Sequence, residues 1–251
     1  MGSFQVVLNA DMGESFGCYV MGKDEELMPY LSAVNLACGF HAGDPVVMYH
    51  SVQNAKKNGI SIGAHPGFKD LQGFGRRMLC ISEEELYTDL MYQFGALDSF
   101  IRREKAVLTH VCPHGLLDPL VSNEEKYGRV MIRAIKEYKP DMVLIIEENC
   151  LLARLCEEEG IRVACVGYPD LEYDSDGNMI ITQKKTKLDP QKIAQQSLRM
   201  VKDHQLMNVE GRLFPIKVQV LCFHSDVPNS LEILKAVRFV LLENGVDIVS
   251  F

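Results

Sequence analysis

The segment Asn35-Leu36-Ala37-Cys38-Gly39-Phe40-His41-Ala42-Gly43-Asp44-Pro45 carries the fold in miniature. Side chains alternate across a strand, so Asn35, Ala37, Gly39 and His41 share one face while Leu36, Cys38 and Phe40 share the other. Asp44-Pro45 then opens a helix, with a capping carboxylate and a proline at the first helical position, where its missing N–H leaves no bond unmade. A strand, a turn and a helix start in so short a stretch mark a β/α unit.

The same unit recurs on both sides. Apolar runs at residues 5–11, 33–41, 61–65, 107–114, 142–147, 162–168 and 217–224 predict strands, and helical periodicity predicts helices at 44–58, 82–104, 123–138, 149–159, 189–203 and 229–244. Ser82-Glu83-Glu84-Glu85 is a capping box, and Gly59, Gly160 and Gly245 stand where helices stop. Such a chain forms either a closed barrel or an open doubly wound sheet, and the strand faces choose between them. Asn9 and Asp11 oppose Val6, Leu8 and Ala10; Ser61, Gly63 and His65 share a face, as do His110, Cys112 and His114. An open sheet covered by helices on both sides needs two apolar faces, whereas a barrel mouth uses small and polar tips. The expectation is an α/β fold, an irregular seven-stranded β/α barrel, as a single domain over residues 1–251.

Composition limits the function. With 251 residues, 47% hydrophobic and 24% charged, the chain can bury a full core unaided. The eight cysteines, at 18, 38, 80, 112, 150, 156, 165 and 222, form no CxxC pair and predict reduced thiols in a cytoplasmic protein. No apolar run is long enough to cross a membrane, and a formal charge of −8 argues against nucleic acid or acidic lipid as partners. The one cationic run, Lys184, Lys185 and Lys187, reads as a solvated hairpin or loop.

His41, His65, His114 and His224 fall at the predicted carboxyl ends of four strands, with Asp11 ending the first strand and Asp226 just beyond His224. Barrel catalysts sit at these ends, so these six are the candidate catalytic residues. One such histidine is ordinarily structural; four at equivalent positions predict a shared site. They suit either a divalent metal, held among His41, His65 and His114, or metal-free acid–base chemistry, and spacing does not decide between the two. Asp70-Leu71-Gln72-Gly73-Phe74-Gly75-Arg76-Arg77 offers backbone amides and guanidinium groups to a carboxylate or phosphate, and the turn at Gly39 brings backbone to a helix start in the same way. Gly17 to Lys23 spells GxxxxGK, but Asp24 replaces the Ser or Thr that a phosphate loop requires, so no nucleotide site is read there.

The runs 8–17, 35–45, 63–67 and 70–77, beginning Leu8-Asn9-Ala10-Asp11-Met12-Gly13-Glu14 and including Gly63-Ala64-His65-Pro66-Gly67, resemble the LamB/YcsF family, the A subunit of ATP-dependent 5-oxoprolinase. The resemblance runs nearly end to end. It implies a barrel related to polysaccharide deacetylases and a hydrolase that opens the lactam of 5-oxoproline to glutamate. It further implies B and C partner subunits that use ATP to phosphorylate the substrate, which would explain the missing nucleotide motif; a homo-oligomer is compatible with this. Asp11 and His65 are then the base candidates, with Glu14, Asn35, Gly39, Arg76, Arg77 and Asp170 expected to hold substrate. Cys112 stands where the family carries Lys, Leu171 where it carries Arg, and Ser225 where it carries Gly. Cys112 supplies no positive charge, though as a thiolate it could act in the site. The alternatives are a hydrolase of another lactam, amide or N-acyl compound, or an impaired member with a binding role.

Overall fold

A computed structural model describes residues 4–177, 179–180 and 185–251. In chain order the elements are β1 (Phe4–Met12), α1 (Asp24–Leu27), β2 (Ala33–Ala37), α2 (Pro45–Lys57), β3 (Ser61–His65) and α3 (Glu83–Arg103). They continue with β4 (Leu108–Val111), α4 (Leu117–Asn123), α5 (Glu125–Tyr138), β5 (Val143–Ile146), α6 (Leu151–Glu159), β6 (Val163–Gly167), β7 (Glu172–Tyr173) and β8 (Met179–Ile180). The last are α7 (Pro190–Lys202), β9 (Gln205–Met207), β10 (Leu213–Pro215), β11 (Val220–His224), α8 (Ser230–Glu243) and β12 (Val246–Ile248). Strands β1 to β6 and β11 are parallel neighbours, and β11 pairs back onto β1, closing a seven-stranded barrel. β12 adds to the early half of β1, while β7–β8 and β9–β10 are small antiparallel hairpins outside the barrel.

The local signals explain the elements. The Asp44 carboxylate accepts from the N–H groups of Val46 and Val47, and Ser82 and Glu85 form the reciprocal capping box. Gly160 ends α6 in a left-handed turn, which a residue with a Cβ adopts poorly. Alternation along the strands then divides the core in two. Val6, Leu8, Ala10 and Met12 pack outward against the helices with Leu36, Phe94 and Leu97, while Val7, Ala33, Val143, Ile145, Val166 and Val220 fill the barrel.

Several boundaries differ from the sequence reading. β2 stops at Ala37 and β4 at Val111, so His41 and His114 stand in the segments that follow the strands and not at strand ends, and His41 is fully buried. α4 lies where no helix was expected, and β12 is a further strand. Lys184 lies outside the described residues. Lys187 is exposed, but Lys185 is half buried and faces the mouth of the barrel, contrary to the solvated run expected there.

Candidate active site

Strand register builds the floor of the site. Asp11 is paired with His224 on one side and Asn35 on the other; Asn35 aligns with Gly63, and Gly63 with His110. Because Gly63 has no side chain, the His110 ring crosses it and its Nε2 reaches Asn35 Oδ1 at 3.0 Å. The Asn35 amide in turn donates to Asp11 Oδ1 at 2.9 Å. Asn35 is thus fully buried and fixes Asp11 from below; it is not the substrate contact expected from the sequence.

Above this floor lies a cavity lined by Asp11, Glu14, His65, Arg76, Cys112, His114, Asp118, Tyr168, Leu171, Lys185, His224 and Asp226, among others. His65, at the end of β3, places Nε2 3.4 Å from Asp11 Oδ2 and 2.9 Å from His114 Nδ1. Its Nδ1 meets the Cys112 carbonyl at 2.7 Å, and His114 Nε2 meets the Phe74 carbonyl at 2.8 Å. His41 stacks flat on His114 with ring centroids 3.7 Å apart, and its Nε2 lies 3.3 Å from Glu14 Oε1. The stack needs bare backbone around it: a Cβ on Gly67 would stand 2.6 Å from His41 Nδ1, and one on Gly75 2.8 Å from His114 Cδ2. Phe74 and Gly75 both adopt positive φ, a strained conformation for Phe74, and this turns the Phe74 carbonyl onto His114.

The electrostatics follow from burial and proximity. Burial alone pushes the Asp11 carboxyl up, but the charge and hydrogen bond of His65, helped by His224 and Asn35, outweigh it and hold Asp11 well below the usual range. Burial likewise works against a charged His65, yet Asp11 and Glu14 raise its pKa. Glu14, buried and beside the Asp11 charge, is pushed up to about 8. Burial and the charge of His65 press His114 down to about 3, and burial with His114 and His65 presses His41 well down. Positive charge therefore concentrates on His65, paired with an ionised Asp11.

The remaining expectations divide. His224 lines the cavity, its Nδ1 held 3.1 Å from Asp170 Oδ1, while Asp170 Oδ2 accepts from the His224 backbone N–H at 2.8 Å. Asp170 therefore positions a histidine and is not itself among the residues that line this cavity. Asp226 lines the cavity, and its Oδ1 is buried with no hydrogen-bond partner among the described residues. Of the two arginines only Arg76 lines the cavity; Arg77 turns away to clamp Asp70, Nε lying 3.0 and 3.1 Å from the two carboxylate oxygens. Asp70 also accepts from the Gly73 N–H, so that loop's donors are spent on an internal anion. Gly39 is likewise outside the cavity, in a turn packed on Met48 with a groove of its own beside Tyr92. At the start of α2 the Asp44 carboxylate takes the N–H groups of Val46 and Val47 and also accepts from Gly17.

Cys112 is corrected too: burial, followed by the charges of Asp11 and Asp118, drives its thiol well above the ordinary range, so it is no thiolate. Asp118, Tyr168 and Lys185 were missed. Asp118 sits in the first turn of α4, where burial pushes its carboxyl up to about 6, and recognising that helix start would have pointed to it. Lys185 comes from the segment before α7, where no sequence signal predicts that a chain returns to the mouth.

The family model described as LamB/YcsF family matches residues 6–251. The 5-oxoprolinase A subunit of Pyrococcus abyssi is 40% identical over 247 residues, covering 98% of this chain and 97% of the relative. Among solved structures, the lactam utilization protein of Thermus thermophilus superposes with a TM-score of 0.89 at 36% identity, over 98% of this chain and 100% of that one. A family 4 carbohydrate esterase from Streptomyces lividans, at 12% identity and a TM-score of 0.52 over 97% of this chain and 91% of its own, shares the fold. No described helix is long and apolar enough to cross a membrane. The chain belongs to the LamB/YcsF family.

Proposed function

We propose that this chain is the ring-opening subunit of an ATP-dependent 5-oxoprolinase, acting in the cytoplasm with B and C partner subunits that phosphorylate the lactam oxygen of 5-oxoproline. The observation that carries the reading is the convergence of Asp11, Glu14, His65, His114 and Asp226 on one cavity that Arg76 and Lys185 also face. The names borne by relatives that match over nearly the whole chain support the substrate class.

Phosphorylation of the lactam oxygen makes the former carbonyl carbon electrophilic. A water gives up a proton to Asp226 as its oxygen bonds to that carbon, and the positive His65–His114 pole faces the charge that develops. The ring nitrogen, which keeps its own hydrogen, takes that proton from Asp226 and leaves as a free amine while the new hydroxyl passes its proton to the freed Asp226 carboxylate, giving an acyl phosphate that a second water converts to glutamate and phosphate. Asp226 suits the proton transfer because its Oδ1 has no partner among the described residues, whereas the oxygens of Asp11 are engaged by Asn35, Cys222 and His65. Arg76 and Lys185 are the groups available to the substrate carboxylate.

The test is glutamate release from 5-oxoproline and ATP, measured with the chain alone and with candidate B and C subunits. Turnover is expected only from the full set, and Asp226→Asn should abolish it without changing the melting profile. Undiminished turnover by that variant removes Asp226 from the mechanism, and no glutamate from any combination removes the lactam assignment.

A further inference from the structure

His65 and His114 meet in a way that two neutral imidazoles cannot sustain. His65 Nδ1 lies against the Cys112 carbonyl and His114 Nε2 against the Phe74 carbonyl; a carbonyl only accepts, so each of these nitrogens carries its ring's hydrogen. The remaining nitrogens, His65 Nε2 and His114 Nδ1, then present lone pairs to each other at 2.9 Å. Carboxylate oxygens surround the same point. Asp11 Oδ2 is 3.4 Å from His65 Nε2, and Glu14 Oε1 is 3.7 Å from His114 Nδ1 and 3.3 Å from His41 Nε2.

This is an acceptor set seeking a positive centre. A single proton between the rings satisfies two nitrogens, and a second, on Glu14, is needed to bridge it to His41 Nε2 at 3.3 Å. A metal ion satisfies all of them: Glu14, His41, His65 and His114 each offer one ligand atom, and these atoms lie within 4.8 Å of one another. All four residues are buried, which limits competition from bulk water. The outward hydrogen bonds of His65 and His114 to backbone carbonyls are the arrangement that fixes the tautomer and aim of ligating imidazoles. We propose that Glu14, His41, His65 and His114 form a divalent transition-metal site at the base of the cavity. An imidazole and carboxylate set without thiolate suits zinc, manganese or cobalt, and such an ion supplies a Lewis acid beside Asp226. The proposal does not rest on the lactam assignment, because binding is measured with no substrate present.

Untagged protein purified without chelator should carry about one ion per chain by elemental analysis, a stoichiometry set by the single cluster. After stripping, calorimetric titration with zinc and with manganese chloride should restore binding and raise the melting temperature. Glu14→Gln, nearly isosteric and expected to fold, and His114→Ala should each weaken binding by about tenfold or more, while exposed His50→Ala leaves it unchanged. The cobalt-loaded chain should show ligand-field bands without a thiolate charge-transfer band. Failure of the folded, stripped chain to bind any of these ions overturns the proposal and leaves a shared proton between the rings. So does binding indifferent to Glu14→Gln, or a cobalt–thiolate band, either of which moves the metal elsewhere.

Discussion

His65 Nδ1 donates to the backbone carbonyl of Cys112 at 2.7 Å, so the site uses the main chain of residue 112 and leaves its thiol buried and protonated. Cys112 belongs to the barrel core with Val143, Ile145 and Cys222. Cys112→Ala should therefore keep turnover within about twofold, a few tenths of a kcal/mol in barrier. It should lower stability by about 1 kcal/mol through lost packing. A steady-state assay with urea unfolding measures both. A large fall in kcat with unchanged stability would return the thiol to the chemistry.

Arg76 and Arg77 are neighbours in sequence with opposite fates. Arg76 lies over the Phe74 ring, 5.1 Å from its centroid, and faces the cavity, while Arg77 is spent on Asp70. Arg76→Gln should raise KM by about ten- to a hundredfold, the range of one charge-assisted contact, with a smaller effect on kcat. Arg77→Gln should leave KM near the wild-type value and make the loop at 70–77 more open to limited proteolysis. A KM effect confined to Arg77→Gln would reverse the assignment.

That pair also marks what the sequence could reveal. Register and capping follow local rules, so the alternation around Asn9 and Asp11, the Asp44-Pro45 start and the Ser82 capping box were legible. The gathering of His65, His114 and His224 around one cavity was legible because parallel strands in a barrel bring their ends, and the loops that follow, to one rim; His41 is fully buried against His114 and lines no part of that cavity. Direction within a loop was not. Which arginine turns inward depends on Asp70, seven residues before Arg77, and on the positive φ of Phe74 and Gly75. Gly39 shared a face with His41 only while the strand was taken to run on to His41; it stops at Ala37. Lys185 reaches the cavity by the path of a long segment, which neither periodicity nor composition encodes.

Gly63 exists to let the His110 ring through. A Cβ at this position would stand 2.1 Å from His110 Cδ2 and 2.2 Å from Nε2, inside a fully buried region. Gly63→Ala should cost about 3 kcal/mol, at the upper end of overpacking penalties. Its second effect should be on Asp11, since a displaced His110 releases Asn35. In a double-mutant cycle, His110→Ala should recover part of the stability lost to Gly63→Ala, because the clash needs both partners. Strict additivity would show that the penalty arises from the strand backbone instead.

Asp24 gives the fold a further pH dependence, beside that of the histidine cluster, whose Glu14 its charge also helps to raise. Its Oδ2 accepts from the Gly13 N–H at 2.7 Å, while Oδ1 is buried with no partner among the described residues. Burial is the main cause that lifts this carboxyl from 3.8 to about 6; the Gly13 hydrogen bond opposes the shift and does not cancel it. The sign follows from linkage: an acid whose folded pKa exceeds its unfolded value contributes stability below the unfolded value and loses it as pH rises through the folded one. A two-unit shift corresponds to about 3 kcal/mol, reduced to about 2 because the side chain is partly exposed. Asp24→Asn keeps an oxygen for the Gly13 N–H and removes the charge. It should be more stable than wild type by about 2 kcal/mol near pH 8, with the difference vanishing towards about pH 4. Urea midpoints of the two proteins across that interval measure it, and parallel profiles would mean that Asp24 ionises in the folded chain as readily as in the unfolded one.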